Sequence, residues 1–461
     1  MKAHPENSLS HDQRAAMDTI GTWIAQRGPH RDHVLGGPAG TGKTFTLKQV
    51  LAFADRAGVP VSLTASTNKA AKVLAATTGR DATTVHSTLG IRQQQDVTTG
   101  RERFRQAGVS QLVRDGLLIV DEASMIGRDL TEIIANEADK RGCGVLYVGD
   151  PYQLPPVGAD VSPVFADVAS QSILTTIHRQ RGDNPLLDLA TGFRQVLDGA
   201  AFPAGFADAH ADDGGHLARG RETWLADMID AFSAQPFNDN PDRVRALAWT
   251  NRRVGELNAI LRRQVVGAAP DERFVAGEMV TAGSPIVKPV RIERDGERVW
   301  MDEVVLQTDA VATVQRARRI VDEYGVPGWQ LKLSDVTTEV FVPDDWATAK
   351  SVLNELRTAA RQMTDRFNAT NNPADDRTRR KAWRAFFDAE KHFSDIRYPY
   401  ASTVHKAQGS TYQTAFVDVA DIGRNTKDRD IARLCYVALT RPSAFAITTG
   451  DLPARCRKEA A

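Results

Sequence analysis

The stretch that most constrains this chain is Gly37-Pro38-Ala39-Gly40-Thr41-Gly42-Lys43-Thr44. It matches G-x-x-x-x-G-K-[ST], with a short apolar run (His33-Val34-Leu35) before it and a helical pattern (Phe45 to Ala57) after it. That strand–loop–helix context is what the motif requires. Its glycines let successive backbone N–H groups turn toward phosphate oxygens, and the helix N-terminus adds the positive end of its dipole. Lys43 would reach the β- and γ-phosphates of a bound nucleotide, and Thr44 would bind magnesium. The bland alternative, a glycine-rich turn that merely starts a helix, leaves the Lys-Thr ending unexplained.

The surrounding pattern is α/β. Ala15, Met17, Ile20, Trp23 and Ile24 give a helical apolar face after Ser10, a plausible N-cap. Val59 to Ala65 reads as the next strand, and the alternation is the βαβ rhythm of a parallel sheet. Leu117 to Val120 and Val145 to Val148 are apolar runs ending in Asp121-Glu122 and Gly149-Asp150. Both read as buried strands with polar side chains at their carboxyl ends, the edge where open α/β sheets bind ligands. Residues 91–106 are polar around a Thr-Thr-Gly turn signal and predict a small protruding hairpin.

A second α/β region begins near residue 180, with a strand candidate at Arg243 to Trp249 and a helix over Arg252 to Arg263. It resumes around Tyr400, with strands at Phe416 to Val419 and Ala444 to Thr448. Between them the rhythm is lost. Short β-type stretches such as Glu303 to Leu306 and Ala310 to Val314 precede two amphipathic helices joined by the turn Asn368 to Pro373. The expected division is 1–180 for a first α/β domain and 181–267 with 394–461 for a second. The insert would be 268–393, β-type over 268–343 and helical over 344–393.

Composition narrows the function classes. Lys plus Arg and Asp plus Glu both number 58. A passive duplex-coating protein would be strongly basic, so any nucleic-acid contact is expected in a local groove. The 3 cysteines are far apart, against a disulfide framework or a four-cysteine metal site, and point to a reducing, cytoplasmic setting. No segment approaches the roughly 18 continuous apolar residues of a membrane span.

Several polar side chains fit nucleotide chemistry. Asp121 would hold magnesium and Glu122 would polarise an attacking water as general base. A solvated strand end is the plain alternative, which the upstream phosphate loop disfavours. Gln153, in GDPYQLPPVG, could sense a γ-phosphate through its amide, or sit in an ordinary Pro-rich loop. Arg179 and Arg441 lie outside the first α/β half. An arginine supplied from a second domain can stabilise a transferring phosphoryl group, although most arginines make surface salt bridges.

Taken in order, Gln13, GGPAGTGKT, STNKAAKVL (66–74), TVHSTLG (84–90), VDEASM (120–125), GDPYQLPPVG (149–158), Arg179, TVHKAQGSTY (403–412) and YVALTR (436–441) resemble the motifs of superfamily 1 helicases. The QLPPVG and HKAQGS forms are similar to those of its 5′-to-3′ branch, superfamily 1B, to which the Dda-like and RecD-like helicases belong. Two departures are the Thr67-Asn68-Lys69-Ala70-Ala71 segment, which is closer to the opposite-polarity branch, and the ending Thr-Arg-Pro at 440–442.

The resemblance implies two RecA-like P-loop domains with ATP and Mg2+ between them. Gln13 would read the adenine, the loop Gly37, Pro38, Ala39, Gly40, Thr41, Gly42, Lys43 and Thr44 would hold the phosphates, and Gly409 would approach the γ-phosphate. Arg179 and Arg441 would be the fingers. Single-stranded DNA would touch Ser66, Thr67, Asn68, Lys69 and His86 on the first domain and Thr403, His405 and Lys406 on the second. The hairpin would be a strand-separating pin with Phe104 as its aromatic wedge, unless Phe104 instead anchors the hairpin to its domain. The insert would be a Src-homology-3-like β domain carrying a helical arm. Its basic run Arg377, Arg379, Arg380, Lys381 and Arg384 is more simply a solvated helix face.

The function implied is an ATP-dependent 5′-to-3′ translocase and DNA helicase, acting as a monomer at single-strand/duplex junctions. It would support replication or recombination, with a single-strand-binding protein or replication proteins as its partners. The rivals are an ATP-gated clamp that does not unwind and a RecD-like subunit of a recombination complex.

Overall fold

The computed structural model describes residues 9–26, 32–95, 102–106, 109–156, 158–177, 184–211, 214–269, 271–294 and 297–457, with backbone alone at 92–95, 102–106, 289–294 and 297–303. Two compact units emerge. One comprises Met1–Ala231, Asp242–Leu257 and Ala401–Ala461, and the other Phe232–Pro241 and Asn258–Tyr400.

The first unit contains two six-stranded sheets. In the first, the spatial order is Thr83–Thr84, Val61–Ala65, Leu117–Asp121, Gly144–Gly149, Asp32–Gly36 and Gln171–Ile173, every pairing parallel. These strands read as unbroken apolar runs because both faces are covered. Leu35, Leu63, Ile119 and Leu146 pack on one face with Leu47 and Val50 of helix Lys43–Arg56. Val34, Leu118, Val120 and Tyr147 pack on the other with Leu130 and Ile134 of helix Arg128–Arg141. Strands Ile91–Gln95 and Glu102–Gln106 pair antiparallel as the expected hairpin.

The second sheet has the order Ala401–Thr403, Val244–Ala248, Tyr412–Asp418, Pro442–Thr449, Gly214–Arg219 and Ala209–Ala211. Its first five strands are parallel and the last is antiparallel. Over those five positions it repeats the first sheet both in space and in chain order. Asp32–Gly36 corresponds to Gly214–Arg219, Val61–Ala65 to Val244–Ala248, and Thr83–Thr84 to Ala401–Thr403. Leu117–Asp121 corresponds to Tyr412–Asp418, and Gly144–Gly149 to Pro442–Thr449. One face is filled by helices Pro185–Leu197 and Asp428–Leu439 through Phe193, Leu434 and Val437. On the strand Tyr412–Asp418, Phe416 meets Trp224 edge-on at 6.0 Å, and the Trp224 indole N–H donates to the Ile447 carbonyl at 2.9 Å.

The other unit holds a five-stranded antiparallel sheet, ordered Val340–Pro343, Pro327–Leu333, Val311–Val321, Met279–Ala282 and Ile396–Arg397. A two-stranded ribbon, Ile286–Arg294 with Glu297–Leu306, adjoins it in sequence. Helices Trp346–Thr370 and Pro373–His392 form a hairpin whose turn is just Asn371-Asn372, tighter than the sequence pattern implied. Asn371 takes the left-handed conformation at φ 49°, which asparagine tolerates, and Asn372 caps the second helix. In the basic run, Arg379 and Arg380 both pair with Asp376. No helix among the described residues is long and apolar enough to cross a membrane.

One buried polar group gives the first sheet a pH dependence. The His33 ring is fully buried, with Nδ1 2.7 Å from Ser170 Oγ and Nε2 3.0 Å from Ser172 Oγ. Burial pushes its pKa down to about 4. The folded chain therefore prefers the neutral ring. The associated stability is complete above the unfolded value of about 6.5 and is lost as pH falls through that value toward 4. The loss should be about 3 kcal/mol. Urea midpoints at pH 7.5 and 4.5 check this: the fall should be smaller in His33→Asn than in the parent chain, and equal falls would refute it.

Candidate functional site

The phosphate loop leaves strand Asp32–Gly36 and turns twice through the left-handed region, at Gly40 (φ 83°) and Gly42 (φ 80°). At Gly37 a Cβ would come within 2.7 Å of Thr41 Oγ1 and 2.8 Å of the Leu174 carbonyl, so the chain can pass there only as glycine. Lys43 folds back, its Nζ donating to the carbonyls of Gly37 at 2.6 Å and Pro38 at 2.9 Å. Thr41 is fully buried and its hydroxyl donates to Pro38 O. The Gln13 amide is also buried and donates to the Thr41 carbonyl at 3.1 Å, placing helix His11–Gln26 against the loop. Beside it, Asp12 accepts the backbone N–H groups of Thr175 and Thr176 at 2.9 Å.

Asp121 and Glu122 stand at the end of the central strand. Glu122 is left-handed at φ 52°, a conformation unusual for a non-glycine residue. Asp121 Oδ1 accepts the Glu122 N–H at 2.9 Å. Burial and the adjacent Glu122 push the Asp121 carboxyl up to about 7. Burial raises Glu122 as well, against the pull of Arg441 and Lys43. Two acids whose pKa values are raised, beside two cations, form a site that a divalent ion would complete. Thr44 and Asp121 offer hard oxygen donors of the kind magnesium takes. Among the described residues no three His, Cys, Asp or Glu side chains cluster to hold a metal, so most ligands would have to come from phosphate oxygens and water.

The second sheet closes over this edge. Gly409 (φ 73°) lies where a Cβ would be 3.3 Å from Ala70 Cβ and 3.7 Å from both Glu122 Cγ and Thr67 Oγ1. Gln408 is buried and its amide donates to Ser124 Oγ at 2.8 Å. Arg441 is 6% exposed, held by the carbonyls of Val437 and Ser410 at 3.1 Å, with its charge felt at Glu122. Tyr436 makes a relay: it accepts the Ala39 N–H at 2.9 Å and donates to Asp150 Oδ2 at 2.5 Å. Gln153 is buried nearby in sequence, with its Oε1 lacking a hydrogen-bond partner. The structure thus brings together Gln13, the loop, Asp121, Glu122, Gly409 and Arg441. Arg179 lies outside the described residues.

The strand ends beyond the nucleotide loop share a different device. Thr67 caps helix Asn68–Thr78 by accepting Ala70 N–H at 3.2 Å, and Thr84 accepts Ser87 N–H at 3.2 Å. Thr250 accepts Arg253 N–H at 3.2 Å, and Thr403 accepts Lys406 N–H at 3.3 Å. Each threonine follows or ends a parallel strand, and the pairs Thr67/Thr250 and Thr84/Thr403 occupy corresponding positions in the two sheets. The tripeptide Thr-Val-His recurs at 84–86 and 403–405 on corresponding edge strands. Thr84 and Thr250 did not stand out in the sequence, although that repeat was a usable signal for Thr84. His86 is half-buried and His405 exposed. Ser66 Oγ lies 3.6 Å from Met125 Sδ. Lys69 is placed differently from its neighbours: its Nζ pairs with Asp242 at 2.8 Å and lies 4.7 Å from the Tyr412 ring centre. Phe104 is on the described hairpin backbone, but its side chain lies outside the described structure.

Known proteins align with this arrangement. Residues 8–201 match the family model of an AAA domain, and 398–444 match that of a UvrD-like helicase C-terminal domain. The ATP-dependent DNA helicase Dda of Enterobacteria phage T4 is 29% identical over 472 residues, covering 94% of this chain and 98% of its own. The ATP-dependent RecD2 DNA helicase of Deinococcus radiodurans is 40% identical over 185 residues, 40% of this chain and 24% of that protein. A solved structure of Pif1 helicases at forked duplex DNA shares the fold, with a TM-score of 0.50 at 14% identity and coverage of 98% and 94%. With family models on both of its sheets and a relative in Dda aligned over nearly its whole length, the chain is a homologue of ATP-dependent DNA helicases of the Dda kind, in keeping with the superfamily 1B resemblance of its motifs.

Proposed function

We propose that this chain is an ATP-driven 5′-to-3′ translocase on single-stranded DNA that unwinds duplexes at single-strand junctions in support of replication or recombination. The observation that carries the reading is the closure of one parallel sheet over the nucleotide edge of another, with Gly409 and Arg441 against Glu122. In this reading residues 1–180 form the first RecA-like domain, and 181–267 with 394–461 form the second. The insert, 268–393, carries the β domain and helical arm. The protein works as a monomer in a bacterial or phage-infected cytoplasm.

Gln13 positions the base. Thr44 and Asp121 would hold Mg2+, which would supply charge neutralisation at the phosphates. The loop N–H groups and Lys43 grip the phosphates, so Lys43 must leave the carbonyls of Gly37 and Pro38 that it now contacts. Glu122 accepts the proton of the attacking water. Its raised pKa suits that task, because a base is most effective when its pKa approaches the working pH. Arg441, Arg179 and Gln153 face the γ-phosphate.

The threonine-capped helix starts grip the strand. Ser66, Thr67, Asn68 and His86 hold it on one sheet and Thr403, His405 and Lys406 on the other. Such side chains bind phosphate and sugar and tolerate any sequence. Lys69 joins them only if it leaves Asp242. ATP favours the closed arrangement and hydrolysis the open one, so each grip alternates as the cleft cycles. By linkage, nucleotide and strand each change the other's affinity by the same factor. The hairpin with Phe104 splits the duplex ahead.

Three measurements test this. Lys43→Ala should abolish ATP hydrolysis, and a normal rate would overturn the site. Tyr436→Phe leaves the buried Asp150 short of a donor, a loss of about 1–3 kcal/mol. DNA-stimulated hydrolysis should then fall by about tenfold, whereas an unchanged rate would place Tyr436 outside the coupling. With ATP and magnesium, partial duplexes carrying a 5′ tail should be unwound and those carrying a 3′ tail should not. Unwinding from the 3′ tail alone would keep the motor and reverse its direction. No unwinding of either, with stimulated hydrolysis intact, would leave an ATP-gated clamp.

A further inference from the structure

The nucleotide edge of the first sheet has a positional counterpart on the second, and that counterpart is a cavity of about 710 Å³. Strand Gly214–Arg219, corresponding to Asp32–Gly36, passes through Gly220 into helix Arg221–Ser233, as the first passes through the phosphate loop into its helix. Strand Tyr412–Asp418 ends on Asp418, as Leu117–Asp121 ends on Asp121. Strand Pro442–Thr449 runs into Gly450-Asp451, as the other runs into Gly149-Asp150. The start of helix Asn251–Leu261 completes the wall. None of the residues assigned above to ATP or DNA lines this cavity.

Its chemistry differs from the first site in an informative way. Arg219, Arg221, Arg252, Arg253 and Arg424 line it. Arg253 Nε pairs with Asp418 Oδ2 at 2.6 Å, both side chains under a tenth exposed. The acid that corresponds to Asp121 is therefore neutralised by a guanidinium and is not available to a divalent ion. Arg219 is held by Asp208 at 2.8 Å, and Arg252 pairs with Glu256. Asp421 is committed to the N–H groups of Trp249 and Thr250, at 2.9 and 2.7 Å. Arg221 and Arg424 are exposed and make no ion pair among the described residues. The Trp224 N–H to Gly220 O bond of 2.8 Å closes the first turn of helix Arg221–Ser233, leaving the earlier N–H groups outside the helical ladder. Gly220 has nothing within 4 Å of a built Cβ, so this turn opens on space.

We propose that this cavity is a second phosphate-binding site, independent of magnesium, that takes the phosphates of a free nucleotide or the terminal phosphate of a nucleic-acid strand. Arg221 and Arg424 supply charge-assisted hydrogen bonds and helix Arg221–Ser233 supplies backbone donors. One residue connects strand and helix here, where the first sheet has a full loop, so phosphates are contacted from one side and not wrapped. Weak, reversible binding follows. The inference rests on the two-sheet fold and stands whether or not the chain unwinds DNA.

The test uses the full chain carrying Lys43→Ala, which removes the lysine from the first site's phosphate grip, titrated with pyrophosphate by calorimetry in EDTA and again in magnesium, the arginine variants below telling the two sites apart. One-to-one binding of similar strength in both buffers is expected. Adding Arg221→Ser and Arg424→Ser should weaken it by at least about tenfold, with Arg221→Lys and Arg424→Lys retaining part of it. Both positions are exposed, and the circular dichroism spectrum should not change. Absence of binding, a requirement for magnesium, or unchanged affinity in the serine variants would each overturn the proposal. Displacement of pyrophosphate by ADP alone would assign the site to free nucleotide. Displacement by a 5′-phosphorylated oligonucleotide, and not by its 5′-hydroxyl form, would assign it to a strand end.

Discussion

The arrangement depends on one buried carboxylate. Asp150 is fully buried at the end of the strand beside the phosphate loop and accepts the Tyr152 N–H at 2.9 Å and the Tyr436 hydroxyl at 2.5 Å. A buried charge is tolerated only when its hydrogen bonds are supplied. One of the two suppliers comes from helix Asp428–Leu439, which packs on the other sheet. Because the same hydroxyl also accepts the Ala39 N–H, separating the sheets would strand a carboxylate and a loop N–H at once. Burial, followed by the nearby Asp150, holds the Tyr436 phenol well above its ordinary pKa, so it remains a donor. The closed cleft thus has a polar lock at its nucleotide end. It is backed by Gln408 on Ser124 and by the close approach at Gly409, where a Cβ would lie 3.3 Å from Ala70 Cβ.

A second contact between the sheets is electrostatic and weaker. Lys69 reaches Asp242 and the Tyr412 ring, and Arg245 stacks 4.9 Å from the same ring. Lys69 is about a quarter exposed and Asp242 about half, so the ion pair is screened and contributes little. This suits a joint that must open. The balanced net charge has the same logic, since a strongly basic surface would bind a polyanion too tightly to release it at each step. The proposed grip is instead through threonine-capped helix starts, which lie at equivalent strand ends of both sheets.

Much of this was legible in the chain. The first sheet's strands announced themselves because both faces are covered, leaving Leu117 to Val120 and Val145 to Val148 unbroken by polar residues. The helical hairpin was legible because one stripe, from Ala349 to Phe367, faces Phe386 and its neighbours. Strand Gly214–Arg219 was not legible. Its sequence, GGHLAR, has little β-propensity. It is a strand because parallel and antiparallel neighbours supply its ladder, and because a Cβ at Gly214 or Gly215 would lie 2.5 Å from Ala444 O or 2.4 Å from Ala209 O. The relay of Tyr436 was equally hidden, since its partners lie 286 and 397 residues away. Periodicity reports which face is buried, not which distant backbone a hydroxyl will meet.

The two sheets share five strand positions yet differ at the one place where chemistry is needed. On the first, burial raises the pKa of both Asp121 and Glu122, with the Glu122 charge adding to the shift of Asp121, which leaves them able to gain from a cation. On the second, Asp418 has already been given its cation as Arg253, with Glu256 at 3.1 Å on the far side of the guanidinium. A protein-borne charge cannot arrive and leave with a ligand, so the second edge cannot run a cycle of metal-assisted hydrolysis. The asymmetry has a mechanical consequence. On the proposed function, one closing cleft with one hydrolytic edge gives one power source, and the second sheet, which carries Arg441 and Gly409, is the moving partner. Two competent edges would require a third sheet to close on the second, and among the described residues no further parallel sheet is present.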